Sequence, residues 1–297
     1  MPIVSRLPGR VRVVEVGPRD GLQNEPIHVA TEHKTAFVDS LSVAGCPVVE
    51  VTSFVSPKAV PAMADASDVC RSITHHANVR YPVLVPNERG YDRAREAGCR
   101  AIALFTSASE TFSQNNVNAT IDETFARFRP IVERAQLDGV WIRGYVSTAT
   151  NCPYTGDVEP EDAVRVAERL FEIGCHEVAL ADTLGRATPL QMNALLELAC
   201  QRMPVERLAL HLHDTDGLAI ANVMIGLDHG ITTFDAAAGG LGGCPFAPGA
   251  AGNLATEKLL KLVHGLGIET GIDEIGVLNA IAQLRAVYPE IGYRHAA

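Results

Sequence analysis

"EIGCHEVALAD", residues 172–182, reads as a helix end, a turn and a buried strand in eleven residues. Gly174 suits the left-handed position that closes a helix. The run after it is apolar without alternation, the mark of a strand covered on both faces. The same grammar recurs in "VAGCPVVEV" (43–51) and "EAGCRAIAL" (96–104), and without the cysteine in "DHGITTFDA" (228–236). The chain repeatedly leaves a helix through a glycine (Gly45, Gly98, Gly174) and enters a strand. Cys46, Cys99 and Cys175, which follow those glycines, read as small buried apolar residues.

Working outward, eight such runs appear: 11–16, 47–53, 81–86, 101–106, 140–147, 176–182, 208–214 and 232–238. Most are followed by a helical pattern, which implies a parallel sheet. Eight strand–helix units in this length predict an α/β fold, a (β/α)8 TIM barrel. A doubly wound sheet is the alternative. It would carry G-x-G-x-x-G after its first strand, and "GPRDGLQNE" (17–25) does not. We expect one domain over 1–297, with the barrel at about 11–262 and a short C-terminal helical extension at about 263–297.

The net charge of −10 argues against nucleic acid and anionic membranes as partners. No apolar run approaches the ~20 residues of a membrane span. The start, "MPIVSRLPGRVRVVEV", lacks the apolar stretch of a signal peptide, so a cytoplasmic location is expected. Seven cysteines with no C-x-x-C disfavour a disulfide scaffold and a zinc knuckle.

In a barrel of this type the active site lies at the C-terminal ends of the strands. Polar residues collect there: Arg19 and Asp20 after strand one, Glu50 and Ser53 on strand two, Arg143 and Tyr145 on strand five. Asp182 ends strand six, and His211 and His213 lie on strand seven. The stretch "GGLGGCPFAPGAAGN" (239–253) follows strand eight. His211 and His213 are two apart and share one strand face. They read either as metal ligands or as a hydrogen-bonded pair. With Asp20 they would form an open nitrogen–oxygen site suited to Mg²⁺, Mn²⁺ or Zn²⁺. Asp182 and Asp214 each open a D-T-x-G turn. Helix capping is expected for Asp214, and Asp182 stays open. Glu257 follows Asn253 by four residues, which predicts a shared helix face.

The stretches "VGPRDGLQNE", "EVTSFVSPK", "RGYVS", "CPY", "HLHDT" and "GGLGGCPFAPGAAGNLATE" together resemble the 3-hydroxy-3-methylglutaryl-CoA lyase family, from about Val11 to Glu257. The Arg-Asp-Gly motif is shared with a wider superfamily of metal-dependent lyases and synthases. The resemblance implies metal ligation by Asp20, His211, His213 and Asn253, with Mg²⁺ or Mn²⁺ as the cofactor. It implies catalysis by Arg19 and Cys244, with Glu50, Asp182 and Glu257 supporting them. Asp20 and His211 count in both the metal and the catalytic sets. Asn116, Arg143 and Tyr145 are expected against the acyl-CoA, and a homodimer is expected. The chain departs from the family pattern at Pro26, Asp216 and Leu218, and it ends at "YRHAA" without a cysteine, so no C-terminal thiol switch is expected.

The implied reaction is retro-Claisen cleavage of 3-hydroxy-3-methylglutaryl-CoA to acetyl-CoA and acetoacetate, on a route of leucine or ketogenic acyl-CoA breakdown. Arg19 would stabilise the enolate oxygen. Cys244, carried on a glycine-rich lid, would protonate the enolate carbon. The Cys244 stretch also reads as an anion-binding nest. The alternatives are cleavage of citramalyl-CoA, should Asp216 line the pocket, a Claisen-condensing synthase, and a non-catalytic acyl-CoA-binding barrel.

Overall fold

The computed structural model describes residues 7–243 and 252–292. Among these residues eight parallel strands form a barrel: β1 (Arg12–Glu15), β2 (Val48–Val49), β3 (Pro82–Leu84), β4 (Ala101–Ser107), β5 (Trp141–Ser147), β8 (Glu177–Asp182), β9 (Leu208–Leu212) and β10 (Thr233–Ala236). A small antiparallel hairpin, β6 (Asn151–Cys152) with β7 (Gly156–Asp157), sits on the loop after β5. Helices alternate with the strands: α1 (Thr31–Val43), α2 (Ala66–Ser72), α3 (Glu88–Glu96), α4 (Glu110–Val117), α5 (Ile121–Leu137), α6 (Pro160–Ile173), α7 (Pro189–Arg202), α8 (Ala219–Asp228) and α9 (Thr256–Gly265). A further helix, α10 (Glu274–Val287), packs on α1. The architecture is the expected (β/α)8 barrel.

The glycine turns do what their position in the sequence implies. Gly45, Gly98, Gly174 and Gly230 have φ of +92°, +86°, +115° and +83°, the left-handed conformation that ends a helix at little cost only in glycine. Cys46, Cys99 and Cys175 are buried behind them.

The expected second strand, 47–53, is regular only at Val48–Val49. The barrel closes between β2 and β3 through bridges at Val48–Arg80 and Ser53–Leu84. Arg80 donates to the Pro47 carbonyl at one end of this seam and Leu84 to that of Thr52 at the other. Between them Val49 and Val51 donate to the Arg80 and Pro82 carbonyls, and Pro82, with no N–H, gives no bond in return.

A barrel interior is ordinarily filled by branched aliphatic side chains. Here a row of charges runs along it. Arg12 pairs with Glu177. Glu177 Oε1 lies 2.9 Å from Nε of Arg143. Arg143 holds Asp235 through Nη2–Oδ1 at 2.6 Å and Nη1–Oδ2 at 3.1 Å. Leu84, Ala103, Ala179 and Ala209 pack around Tyr145 as a small apolar cluster of their own. The alanines leave room that the long polar side chains fill.

Candidate active site

Arg19 and Asp20 lie on a single π-helical turn, Gly17–Gly21, directly after β1. Both Asp20 and Gly21 donate their N–H to the Val16 carbonyl, at 2.8 and 3.1 Å. The wider turn presents two consecutive side chains to the barrel mouth, and π-turns are frequent at functional sites. A side chain at position 21 would meet Cβ of Leu241 at 2.7 Å, so the turn needs glycine there.

Arg19 is clamped between two carboxylates. Its Nη1 lies 2.6 Å from Oδ1 of Asp20 and its Nη2 lies 2.8 Å from Oε2 of Glu50. Tyr145 donates its hydroxyl to the same Glu50 oxygen at 3.1 Å and accepts from Arg143 at 2.8 Å. Burial alone would lower the Arg19 pKa, but Glu50 and Asp20 more than offset it and hold it above the usual arginine range. Nε of Arg19 and Oε1 of Glu50 are enclosed and have no protein partner. Buried polar atoms are nearly always paired, so these two are exceptions within the site.

His211 and His213 face Asp20 from β9 and its end. Nε2 of each ring lies 3.9 Å from Oδ2 of Asp20. Donor atoms of the three residues all fall within 4.8 Å of one another, the spacing of a candidate metal site. Two imidazole nitrogens, a carboxylate oxygen and a neighbouring amide suit a divalent cation. Burial pushes the Asp20 carboxyl up, but Arg19, both histidines and Asn253 outweigh it and hold the carboxyl well below the usual range. It therefore stays ionised, as a ligand must.

Asn253 joins Asp20, as expected, but not from a helix. It forms a bridge with His213 and precedes α9, which begins at Thr256. Asn253 and Glu257 therefore share no helix face. The Asn253 amide donates to Oδ2 of Asp20 at 2.8 Å and to the Leu241 carbonyl at 3.0 Å. Glu257 accepts from the Gly239 N–H at 3.0 Å and braces the start of the glycine-rich stretch. Cys244 lies outside the described residues. At the two described ends of that stretch the glycines serve shape. Gly239, Gly240 and Gly242 have φ of +69°, +64° and +99°, and a Cβ on Gly252 would fall 1.9 Å from the Gly242 carbonyl oxygen.

Asp182 is buried and knits its own loop, accepting from the N–H groups of Arg186 (3.2 Å) and Ala187 (3.0 Å). Burial pushes its pKa up to about 6 against those hydrogen bonds. It does not cap α7, which Thr188 caps. Asp214 accepts from Ala219 N at the start of α8, close to the expected capping role. Asp216 is 52% exposed in its side chain and lies 4.0 Å from Arg186.

Arg143 corrects an expectation. It was expected against the acyl-CoA, but it is fully buried, and Asp235, Glu177 and Tyr145 occupy its guanidinium. Its place is beneath the site. Tyr145, 3% exposed, bridges Arg143 to Glu50 from the same interior position. Asn116 lies exposed on α4, apart from the buried cluster. Asp235 was missed in the sequence. It is buried, it accepts from Nδ1 of His211 at 3.1 Å, and its pKa falls because Arg143 and His211 outweigh its burial. The signal available was a lone carboxylate in the apolar run "TTFDAAA".

The HMGL-like family model matches residues 10–284. A curated zebrafish protein, the cytoplasmic 3-hydroxy-3-methylglutaryl-CoA lyase, is 50% identical over 93% of this chain and 83% of its own length. The crystal structure of hydroxymethylglutaryl-CoA lyase from Pseudomonas aeruginosa superposes with a TM-score of 0.95 at 46% identity, covering 98% of this chain and 97% of that one. An HMG-CoA lyase from Acinetobacter baumannii, solved with coenzyme A and 3-methylmalate, gives 0.91 at 38% identity, with 97% and 93% covered. The chain is thus a member of the 3-hydroxy-3-methylglutaryl-CoA lyase family of carbon–carbon lyases.

Proposed function

We propose that the chain cleaves 3-hydroxy-3-methylglutaryl-CoA to acetyl-CoA and acetoacetate in a divalent-metal-dependent retro-Claisen reaction. The observation that carries this reading is the convergence of Asp20, His211 and His213 beside a doubly clamped Arg19 at the barrel mouth. Coenzyme A and a hydroxylated dicarboxylate bound together in the Acinetobacter relative support the substrate class.

Asp20, His211, His213 and Asn253 are the residues that would hold Mg²⁺ or Mn²⁺. Such an ion, when bound, supplies the positive charge that favours ionisation of a 3-hydroxyl group. The 3-hydroxyl proton passes to solvent, and the C2–C3 bond of the resulting alkoxide breaks. The electron pair of the bond passes to the thioester fragment, and acetoacetate leaves with a new carbonyl at C3. Arg19, fixed in charge and place by Glu50 and Asp20, offers a cation to the enolate oxygen without reorganising. Its Nε has no hydrogen-bond partner among the described residues. Cys244 is our candidate for the acid that returns a proton to the enolate carbon.

Asp216 turns towards Arg186 and is half-exposed, so nothing observed favours citramalyl-CoA. The six described cysteines are all free, which supports a reducing compartment such as the cytoplasm. No helix among the described residues is long and apolar enough to cross a membrane. The test is to incubate the purified protein with Mg²⁺ and a panel of 3-hydroxyacyl-CoA thioesters, following free 3-oxo acid and acetyl-CoA. A preference above about tenfold for citramalyl-CoA, or roughly 1.4 kcal/mol of transition-state binding, would overturn the assignment.

A further inference from the structure

A cavity of about 590 Å³ opens at the far end of the strands from Asp20 and the two histidines. Strand starts border it: Arg12 of β1, Val48 of β2 and Ala101 of β4, with Tyr81 just before β3. Its volume falls in the range of small-molecule sites, roughly 300–1,000 Å³. The walls are largely apolar, with Val48, Val51, Ile73 and Val83 among them.

Three arginines, Arg12, Arg80 and Arg100, also line it. Elsewhere on the surface Arg134, Arg169 and Arg202 each have a carboxylate at 2.6–2.8 Å. Among the described residues no carboxylate comes within 4.0 Å of Arg80 or Arg100. The Arg80 guanidinium lies 4.3 Å from the centre of the Trp141 ring. Arg12 is engaged through Nη2 by Glu177 and Thr233, while its Nε is enclosed and unpartnered. Burial and the nearby Arg12 outweigh the attraction of Glu177 and hold Arg80 below the usual arginine range. A chain of net charge −10 has thus gathered three arginines at one apolar hollow, and two of them, Arg80 and Arg100, have no carboxylate partner among the described residues.

We propose that this hollow is a second ligand site, separate from the active site, for a small carboxylate carried on an apolar chain. A guanidinium fork matches a carboxylate in shape and charge. The aliphatic walls would bury the chain. An anion at Arg80 and Arg100 supplies the carboxylate that both lack and relieves their like-charge crowding with Arg12.

The test is calorimetric titration of the full chain with sodium octanoate, against 1-octanol and inorganic phosphate. Octanoate is expected to bind saturably, one per chain, and at least about tenfold tighter than octanol, a difference of 1.4 kcal/mol. The double variant Arg80→Gln/Arg100→Gln should weaken octanoate about tenfold or more. Ala77→Trp, which places an indole in the exposed wall, should block it. Turnover without octanoate should be unchanged in both variants, since none of these residues belongs to the active site. Absent saturable binding overturns the proposal, as does binding that neither variant alters, which would lie elsewhere. Equal affinity for octanol removes the carboxylate's part. Phosphate binding as tightly as octanoate removes the apolar part.

Discussion

Asp235 accepts a hydrogen bond from Nδ1 of His211, and that contact decides which imidazole nitrogen faces Asp20. A carboxylate can only accept here, so Nδ1 carries a hydrogen and Nε2 is the nitrogen presented to Asp20. Asp235→Asn should therefore weaken divalent-metal binding by about 10–100-fold, the usual weight of an orienting partner. Calorimetric titration with Mn²⁺ checks this. Unchanged affinity would show that packing alone orients the ring.

Arg19→Met should lower turnover by about 10²–10³-fold, the cost of losing a fixed donor to a developing oxyanion. It also strands Glu50, which is fully buried, and breaking such a pair costs about 3–5 kcal/mol. The double variant Arg19→Met/Glu50→Gln should recover much of the melting temperature and none of the turnover. Recovery of both would make Arg19 a structural residue only.

Cys244→Ala should cut turnover by about 10²–10⁴-fold while leaving acyl-CoA and metal binding largely intact. Cys175→Ala should do the reverse, because Cys175 is fully buried behind the turn into β8. Steady-state kinetics beside thermal melts separate the two. Near-normal turnover in Cys244→Ala sinks the proposed acid role.

Glu15 is fully buried and accepts from the N–H groups of Gly17 and Ala238, both at 2.9 Å, and from the Thr256 hydroxyl at 2.6 Å. Burial, against those bonds, pushes its pKa from 4.5 up to about 7. The folded state thus holds this proton more tightly than the unfolded chain. The resulting stability is present below pH 4.5 and is lost as the pH rises through about 7. The difference is roughly 3 kcal/mol. Glu15→Gln keeps the shape without the titration, so its melting temperature should fall less between about pH 5 and 8 than that of the parent. Parallel curves for the two proteins would refute this.

Gly252→Ala should fail more severely than its size suggests. The added methyl would sit 1.9 Å from the Gly242 carbonyl oxygen, beside Asn253. The backbone must shift, and Asn253 with it. Loss of metal affinity with only modest loss of melting temperature is the expected pattern. Wild-type metal affinity would show that the segment relaxes without moving Asn253.

Much of this was legible in the sequence because it is written in local grammar. The Gly-Cys turns announce helix ends, and the apolar runs after them announce buried strands. His211 and His213 are visible as a pair because a strand repeats every two residues. What was not legible is longer in range. The π-turn at Gly17–Gly21 has no residue pattern that distinguishes it from an ordinary loop. Arg143 looked like a mouth residue because it lies on the same strand face as Tyr145. Only the register of β5 against β8, which sets Arg143 beside Glu177, shows that it belongs to a lower layer. Asn253 and Glu257 have helical spacing, yet the helix starts between them.

The interior row from Arg12 through Glu177, Arg143 and Asp235 to His211 bears on how this barrel can change over generations. An aliphatic layer can drift one methyl at a time. A line of alternating charges cannot, because replacing any member leaves its neighbour ionised and dry. These positions are coupled, so their substitutions are not additive. Sequence change here is expected to come in matched pairs: among relatives, Glu177 and Asp235 should be exchanged only where Arg12 or Arg143 is exchanged as well.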